Sequence, residues 1–211
     1  MNYEKFIVEA QNNLTIVRKR GIDWIQELVK VESGNIFPIS LWWCGLVNKS
    51  SFMIDGIKDC VETKNLAVLG ILLRTQIDNC LRAFALELVD SSELMILKIL
   101  NGEQLNKIKD RNGKYIRDAY LVEQLSTIDD KVKTVYKSAC NDVHFSKKGI
   151  IHTLHTTENK LGISIGKTRF EDMKNIEEGY FAFLHFTSLL YETMLPSWII
   201  RRKKANSIKA K

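Results

Sequence analysis

Two prolines, Pro38 and Pro196, are the only ones in this 211-residue chain, and the whole stretch between them is proline-free. Proline removes a backbone donor and breaks helix interiors, and sandwiches and barrels place it at their turns and edges. A long stretch without it points to long helices. Hydrophobic residues make up 45% of the chain and charged residues 27%, an ordinary globular composition. A chain of this length buries enough surface to fold without a disulfide or metal staple.

The apolar spacing fits a mainly α fold, an antiparallel helical bundle with one small β-hairpin before the last long helix. Phe6, Ala10, Leu14, Val17, Trp24, Ile25 and Leu28 recur at helical intervals across residues 3–31. Helices are expected over residues 39–62, 66–89, 116–125, 129–145 and 170–200, with a shorter one ending near Asn101-Gly102. Around Ile150-Ile151-His152-Thr153-Leu154-His155 and Leu161-Gly162-Ile163-Ser164-Ile165 the period falls to two, which places a hairpin at about residues 150–166. Residues 1–200 form a single domain in this reading.

The net charge of +6 is carried by residues 201–211, where Arg201, Arg202, Lys203, Lys204, Lys209 and Lys211 face no acidic neighbour. Setting these aside leaves a body in which basic and acidic residues balance. The segment is expected as a flexible, solvated tail, with phosphate attraction by counterion release as the alternative. Cys44, Cys60, Cys80 and Cys140 stand singly within apolar helical patterns, as small core residues in a reducing compartment. The opening residues lack a basic-then-apolar leader pattern, and no apolar run is long enough to span a bilayer. A cytoplasmic protein with no membrane contact is expected.

Polar residues among apolar neighbours carry the functional argument. On the third helix Gln76, Asn79, Ala83, Glu87 and Asp90 share one side, the expected wet face, while Arg74, Asp78 and Arg82 lie four apart on another. The remaining circumference is apolar, so this helix is expected at the centre of the bundle. Two cations for one anion leave a guanidinium to be matched by Asp55 or Glu62 of the neighbouring helix, or by a bound phosphate. The helix over residues 129–145 carries Tyr136 within its core stripe, Asn141 beside it, and His144 at its end. There the dipole favours an imidazolium. His144 reads equally as a general acid or base and as a capping histidine.

These residues also support a resemblance. Leu72-Leu73-Arg74-Thr75-Gln76-Ile77-Asp78-Asn79-Cys80-Leu81-Arg82, with Tyr136-x3-Cys140-Asn141-x-Val143-His144-Phe145-Ser146 further on, resembles bacterial helical proteins distantly related to the HEPN superfamily. The resemblance spans about residues 40–200. It implies an all-helical bundle, frequently a homodimer, in prokaryotic defence or toxin systems. Active members are metal-independent ribonucleases using an arginine and a histidine at the 2′-hydroxyl and scissile phosphate, while others bind nucleotides or partners. Here no arginine lies four to seven residues before His144, so cleavage would need Arg74 or Arg82 from the adjacent helix. The resemblance therefore implies His144 and Arg74 as catalytic candidates, with Arg82, Asp78, Tyr136 and Asn141 as ligand-binding ones, RNA or a nucleotide as partner, and no cofactor. A non-enzymatic interaction module with an internal ion network is the alternative.

Other motifs do not fit their chemistry. Gly162-Ile163-Ser164-Ile165-Gly166 matches a nucleophile elbow but falls on a hairpin strand. His152 and His155 face opposite sides of a strand, and the ligand count is short for zinc. His185, within Tyr180-Phe181-Ala182-Phe183-Leu184-His185-Phe186, is expected as a satisfied core histidine.

Overall fold

A computed structural model describes residues 3–143, 154–157, 160–163, 165–166 and 173–209. His144 and His152, and the parts of the expected hairpin at residues 150–153, 158–159 and 164, lie outside the described residues.

The fold is mainly helical. Helix α1 (Tyr3–Val31) buries Phe6, Ala10, Leu14, Val17, Gly21 and Leu28. It stops where Ser33 and Gly34 take positive φ, a conformation that ends helices. Helix α2 (Pro38–Thr63) starts with Pro38 in its first turn, where the missing N–H costs nothing. It ends at Lys64 in the left-handed region, and Asn65 then caps α3 (Leu66–Leu88), its Oδ1 accepting from Val68 N at 3.2 Å. Ser91 caps α4 (Ser92–Leu100) by accepting from Leu94 N at 3.2 Å, and Gly102 closes it at φ +91.

Between α4 and α5 (Asp118–Leu125) the chain is shaped by Asp110. Its Oδ1 accepts from the backbone N–H groups of Asn112 and Lys114, and its Oδ2 from the Tyr120 hydroxyl at 2.6 Å. Arg111 then reaches back to the end of α3, donating to the carbonyls of Glu87, Leu88 and Val89. Asp129 opens α6 (Lys131–Val143) by accepting from Lys131 N. Strands β1 (Leu154–Thr157) and β2 (Lys160–Ile163) pair antiparallel, from Leu154 opposite Ile163 to Thr157 opposite Lys160.

The last helical stretch comprises α7 (Met173–Ser188), a π-helical turn (Leu189–Met194) and α8 (Leu195–Lys209). In the π turn Leu195 N donates to Leu190 O, five residues back. The wider turn accommodates Pro196, which has no N–H and whose ring crowds the preceding carbonyls of an α-helix.

Helix α3 packs against α2, α4, α5, α6, α7 and the π turn, the central position its apolar circumference predicts. Its expected wet face is a correction. Gln76, Asn79 and Ala83 are buried, because Asn79 Nδ2 donates to Leu46 O of α2 at 3.4 Å and lies 3.5 Å from Gln76 Oε1. Only Glu87 and Asp90 of that side reach water.

The basic segment also differs from expectation. Residues 201–209 continue α8, which lies against α1 and brings their cations to acidic groups. Arg202 grips the buried Glu32 at 2.8 and 3.0 Å, Arg201 donates to Glu87, and Lys203 to Glu27. Asn206 Nδ2 donates to Val31 O at the end of α1. Local carboxylates, absent from the segment itself, come from elsewhere in the fold.

Candidate functional site

Arg74, Asp78 and Arg82 lie along one line of α3 and meet α5 and α6. Arg74 binds Asp78 one turn on through Nη1. Its Nη2 donates to the Tyr136 hydroxyl at 2.7 Å and its Nε to Cys140 Sγ at 3.3 Å. The guanidinium carbon lies 3.9 Å from the Tyr136 ring centroid, so the cation also meets the π face. Tyr136 and Cys140 are four apart on α6 and therefore share its α3-facing side.

Arg82 is matched by Asp118, in the first turn of α5, with Nη2 2.8 Å from Oδ1. Asp118 Oδ2 is also 3.8 Å from Arg74 Nη2. The cluster therefore holds two guanidinium groups and two carboxylates. The expected partners were Asp55 or Glu62. Asp55 instead pairs with Arg18 at 3.0 Å, and the carboxylate that balances the row is Asp118. No local signal marks Asp118, because only the folded chain brings α5 beside α3.

Burial disfavours the charged form of Arg74, but the hydrogen bonds to Asp78 and Cys140 and the charge of Asp78 outweigh it and push its pKa up. Arg74 is thus a fixed cation, not a proton donor. Burial raises the Tyr136 phenol above its usual range despite the nearby Arg74 charge, so at neutral pH it stays protonated and accepts from Arg74. Of the other candidates, Asn141 is exposed on α6 next to Cys140, and His144 lies outside the described residues. Helix α6 passes so close to α3 that a Cβ on Gly70 would sit 2.6 Å from Asp142 Cβ.

Arg82 and Asp118 also form part of the wall of a cleft of about 620 Å3. Arg117 and Glu103 add charges to the wall, and Gln104 and Asn106 add amides. The apolar part comes from Ile99, Leu105 and Ile116. Neither Arg117 nor Glu103 has an ion-pair partner among the described residues, and Arg117 instead lies 5.5 Å from the Tyr115 ring. Six of the nine lining residues are charged or carry amides, so the wall is mainly polar by residue type, and the cleft volume is in the range of small-molecule sites.

His185 is a third exposed and bonded through Nε2 to Asp129 Oδ2 at 2.6 Å, which ties α7 to the start of α6. The sequence pattern places it among aromatic neighbours but does not reveal the carboxylate. Among the described residues no group of three or more His, Cys, Asp or Glu side chains is placed to hold a metal, and no helix is long and apolar enough to cross a membrane. No protein family, curated protein or solved structure matches the chain.

Proposed function

We propose that the chain binds a phosphate-bearing ligand of nucleotide size in the cleft beside α3, with Arg82 and Arg117 holding the phosphate. The observation that carries this reading is the cleft wall itself. It presents one guanidinium positioned by Asp118 and a second without a carboxylate partner among the described residues. Guanidinium groups suit phosphate because their planar donors match its oxygens. A single nucleotide is favoured over a long RNA because the cleft is small. The cations at 201–203, which would otherwise attract a polyanion, are engaged by Glu87, Glu32 and Glu27.

The distant HEPN resemblance supports nucleotide binding, and with it a cytoplasmic homodimer in a defence or toxin context. Light scattering on the purified protein tests the dimer. Ribonuclease activity is the further step of that resemblance and rests on His144 with Arg74. Labelled RNA incubated in EDTA tests it: cleavage lost in both His144→Ala and Arg74→Ala supports a nuclease, and no cleavage, or cleavage that survives both, removes it.

A second reading is favoured by the charge balance of Arg74, Asp78, Arg82 and Asp118, which fits an internal ion network in a non-enzymatic interaction module. Thermal unfolding separates the two. With nucleotide at one hundred times its Kd, binding adds about 2.7 kcal/mol and raises Tm by roughly 5–10 °C. Arg117→Ala is expected to abolish that rise while leaving the ligand-free Tm unchanged. Unaltered Tm with phosphate and every nucleotide leaves the network reading.

A further inference from the structure

Resting on the nucleotide reading, we infer that the cleft discriminates among bases, preferring those that present amino and imino donors, with guanine foremost and uracil last, and that Glu103 makes the choice. Glu103 lines the same cleft as Arg82 and Arg117 and has no cation to neutralise it among the described residues. An ionised carboxylate only accepts hydrogen bonds. The guanine edge offers it adjacent N1–H and N2–H donors, a two-pronged match to its two oxygens. Cytosine and adenine offer an exocyclic amino group. Uracil places a carbonyl on either side of its single N3–H, so one oxygen of the base faces the carboxylate whichever way the ring is seated.

The wall as a whole has the same polarity. Asp118 balances the charge of Arg82, and the wall residues left without an opposite charge among the described residues are Arg117 and Glu103. A ligand with an anionic end and a donor-rich end satisfies both, whereas a bare polyanion leaves Glu103 facing negative charge. Ile99 and Leu105, both partly exposed, supply apolar surface for a flat face of a base between those ends. Gln104 and Asn106 each offer both donor and acceptor, so they tolerate any base and leave the choice to Glu103.

The test is calorimetric titration of the full chain with GMP, CMP, UMP and inorganic phosphate, repeated in Glu103→Gln. Glu103 bonds to no other side chain among the described residues, so the variant is expected to keep its fold, which circular dichroism checks. The expected result is GMP binding at least about tenfold tighter than UMP, with CMP between them, the size of effect a charge-assisted hydrogen bond gives. In Glu103→Gln, whose amide can turn either a donor or an acceptor to the base, the ratio is expected to fall within about threefold. Equal affinities for GMP and UMP in the wild type overturn the inference while leaving nucleotide binding in place. So does a preference that survives Glu103→Gln. If neither phosphate nor any nucleotide binds, the underlying reading fails and this inference fails with it.

Discussion

Arg74 is held by Asp78, Tyr136 and Cys140 at once and is 13% exposed, so its removal strands a carboxylate and a phenol that are arranged around a cation. Breaking a buried pair by deleting one partner costs more than the pair contributes, because the remaining charge stays desolvated. Asp78 keeps some access to water, which moderates the cost. Arg74→Ala is expected to lose about 2–4 kcal/mol in urea unfolding, and Arg74→Ala/Asp78→Ala less than the single change. Asp110 gives a pH-dependent counterpart. Burial pushes its carboxyl up, but the Tyr120 hydroxyl and the N–H groups of Lys114 and Asn112 hold it below its usual value overall. A folded pKa below the unfolded one stabilises the native state at pH above the unfolded value, about 4, and the contribution fades as pH falls through the folded value. Chemical denaturation between pH 6 and pH 2 is expected to show this loss. In Asp110→Asn the acid dependence should flatten, with lower stability at neutral pH, since an amide nitrogen cannot accept from Tyr120.

The bounds expected from apolar spacing, 39–62 and 66–89, agree with α2 and α3 to within a residue, because Pro38 opens α2 and Asn65 caps α3 at those points. The π turn was not legible, because its cause is split between Pro196 and the burial of Tyr191, and the spacing of apolar residues hardly changes across one widened turn. The buried side of α3 was misread for a related reason. A polar count treats Gln76 and Asn79 as wet, whereas amides placed side by side can bond to one another and to a helix carbonyl. Asp118 escaped detection because helical spacing relates residues within an element and says nothing about which distant element arrives beside it. The π turn has a measurable consequence. It presents the Tyr191 ring to Gly21 of α1, where a Cβ would lie 2.6 Å from two ring carbons. The ring is fully buried and its hydroxyl donates to Val47 O at 3.3 Å, so it has no room to retreat. Gly21→Ala, a change that favours helix formation by about 1 kcal/mol at an open site, is expected here to destabilise by about 1–3 kcal/mol. The same change at Gly45 of α2, where a Cβ meets nothing within 4 Å, should be neutral or stabilising, and urea midpoints of the two variants make the comparison.

At the scale of the whole molecule, charge and chain path explain each other. Counted along the sequence, the excess of positive charge falls at the end. In the fold, three of those cations lie on acidic residues of α1, of α3 and of the turn after α1. Arg202 and Lys203 also stand near the end of α1, whose last carbonyls carry partial negative charge, a favourable site for cations. The final helix is therefore a clamp on the first. Its central contact is Arg202 on Glu32, a two-pronged bond to a side chain only 2% exposed, with the guanidinium 5.2 Å from the Phe37 ring. A solvated tail and a clamp make opposite predictions. If these residues were solvated, Arg202→Ala would alter stability by less than about 0.5 kcal/mol, as surface substitutions do. As a clamp, its loss leaves Glu32 charged and buried, and about 3 kcal/mol is expected to disappear, lowering Tm by roughly 6–12 °C. Glu32→Gln in the Arg202→Ala background removes the stranded charge and should recover part of the loss. The two substitutions should thus be less than additive, with a coupling of about 1–3 kcal/mol in a double-mutant cycle. Additive effects would show that the two side chains do not depend on each other, and the clamp would have to be sought in Asn206 and the apolar contacts of α8 alone.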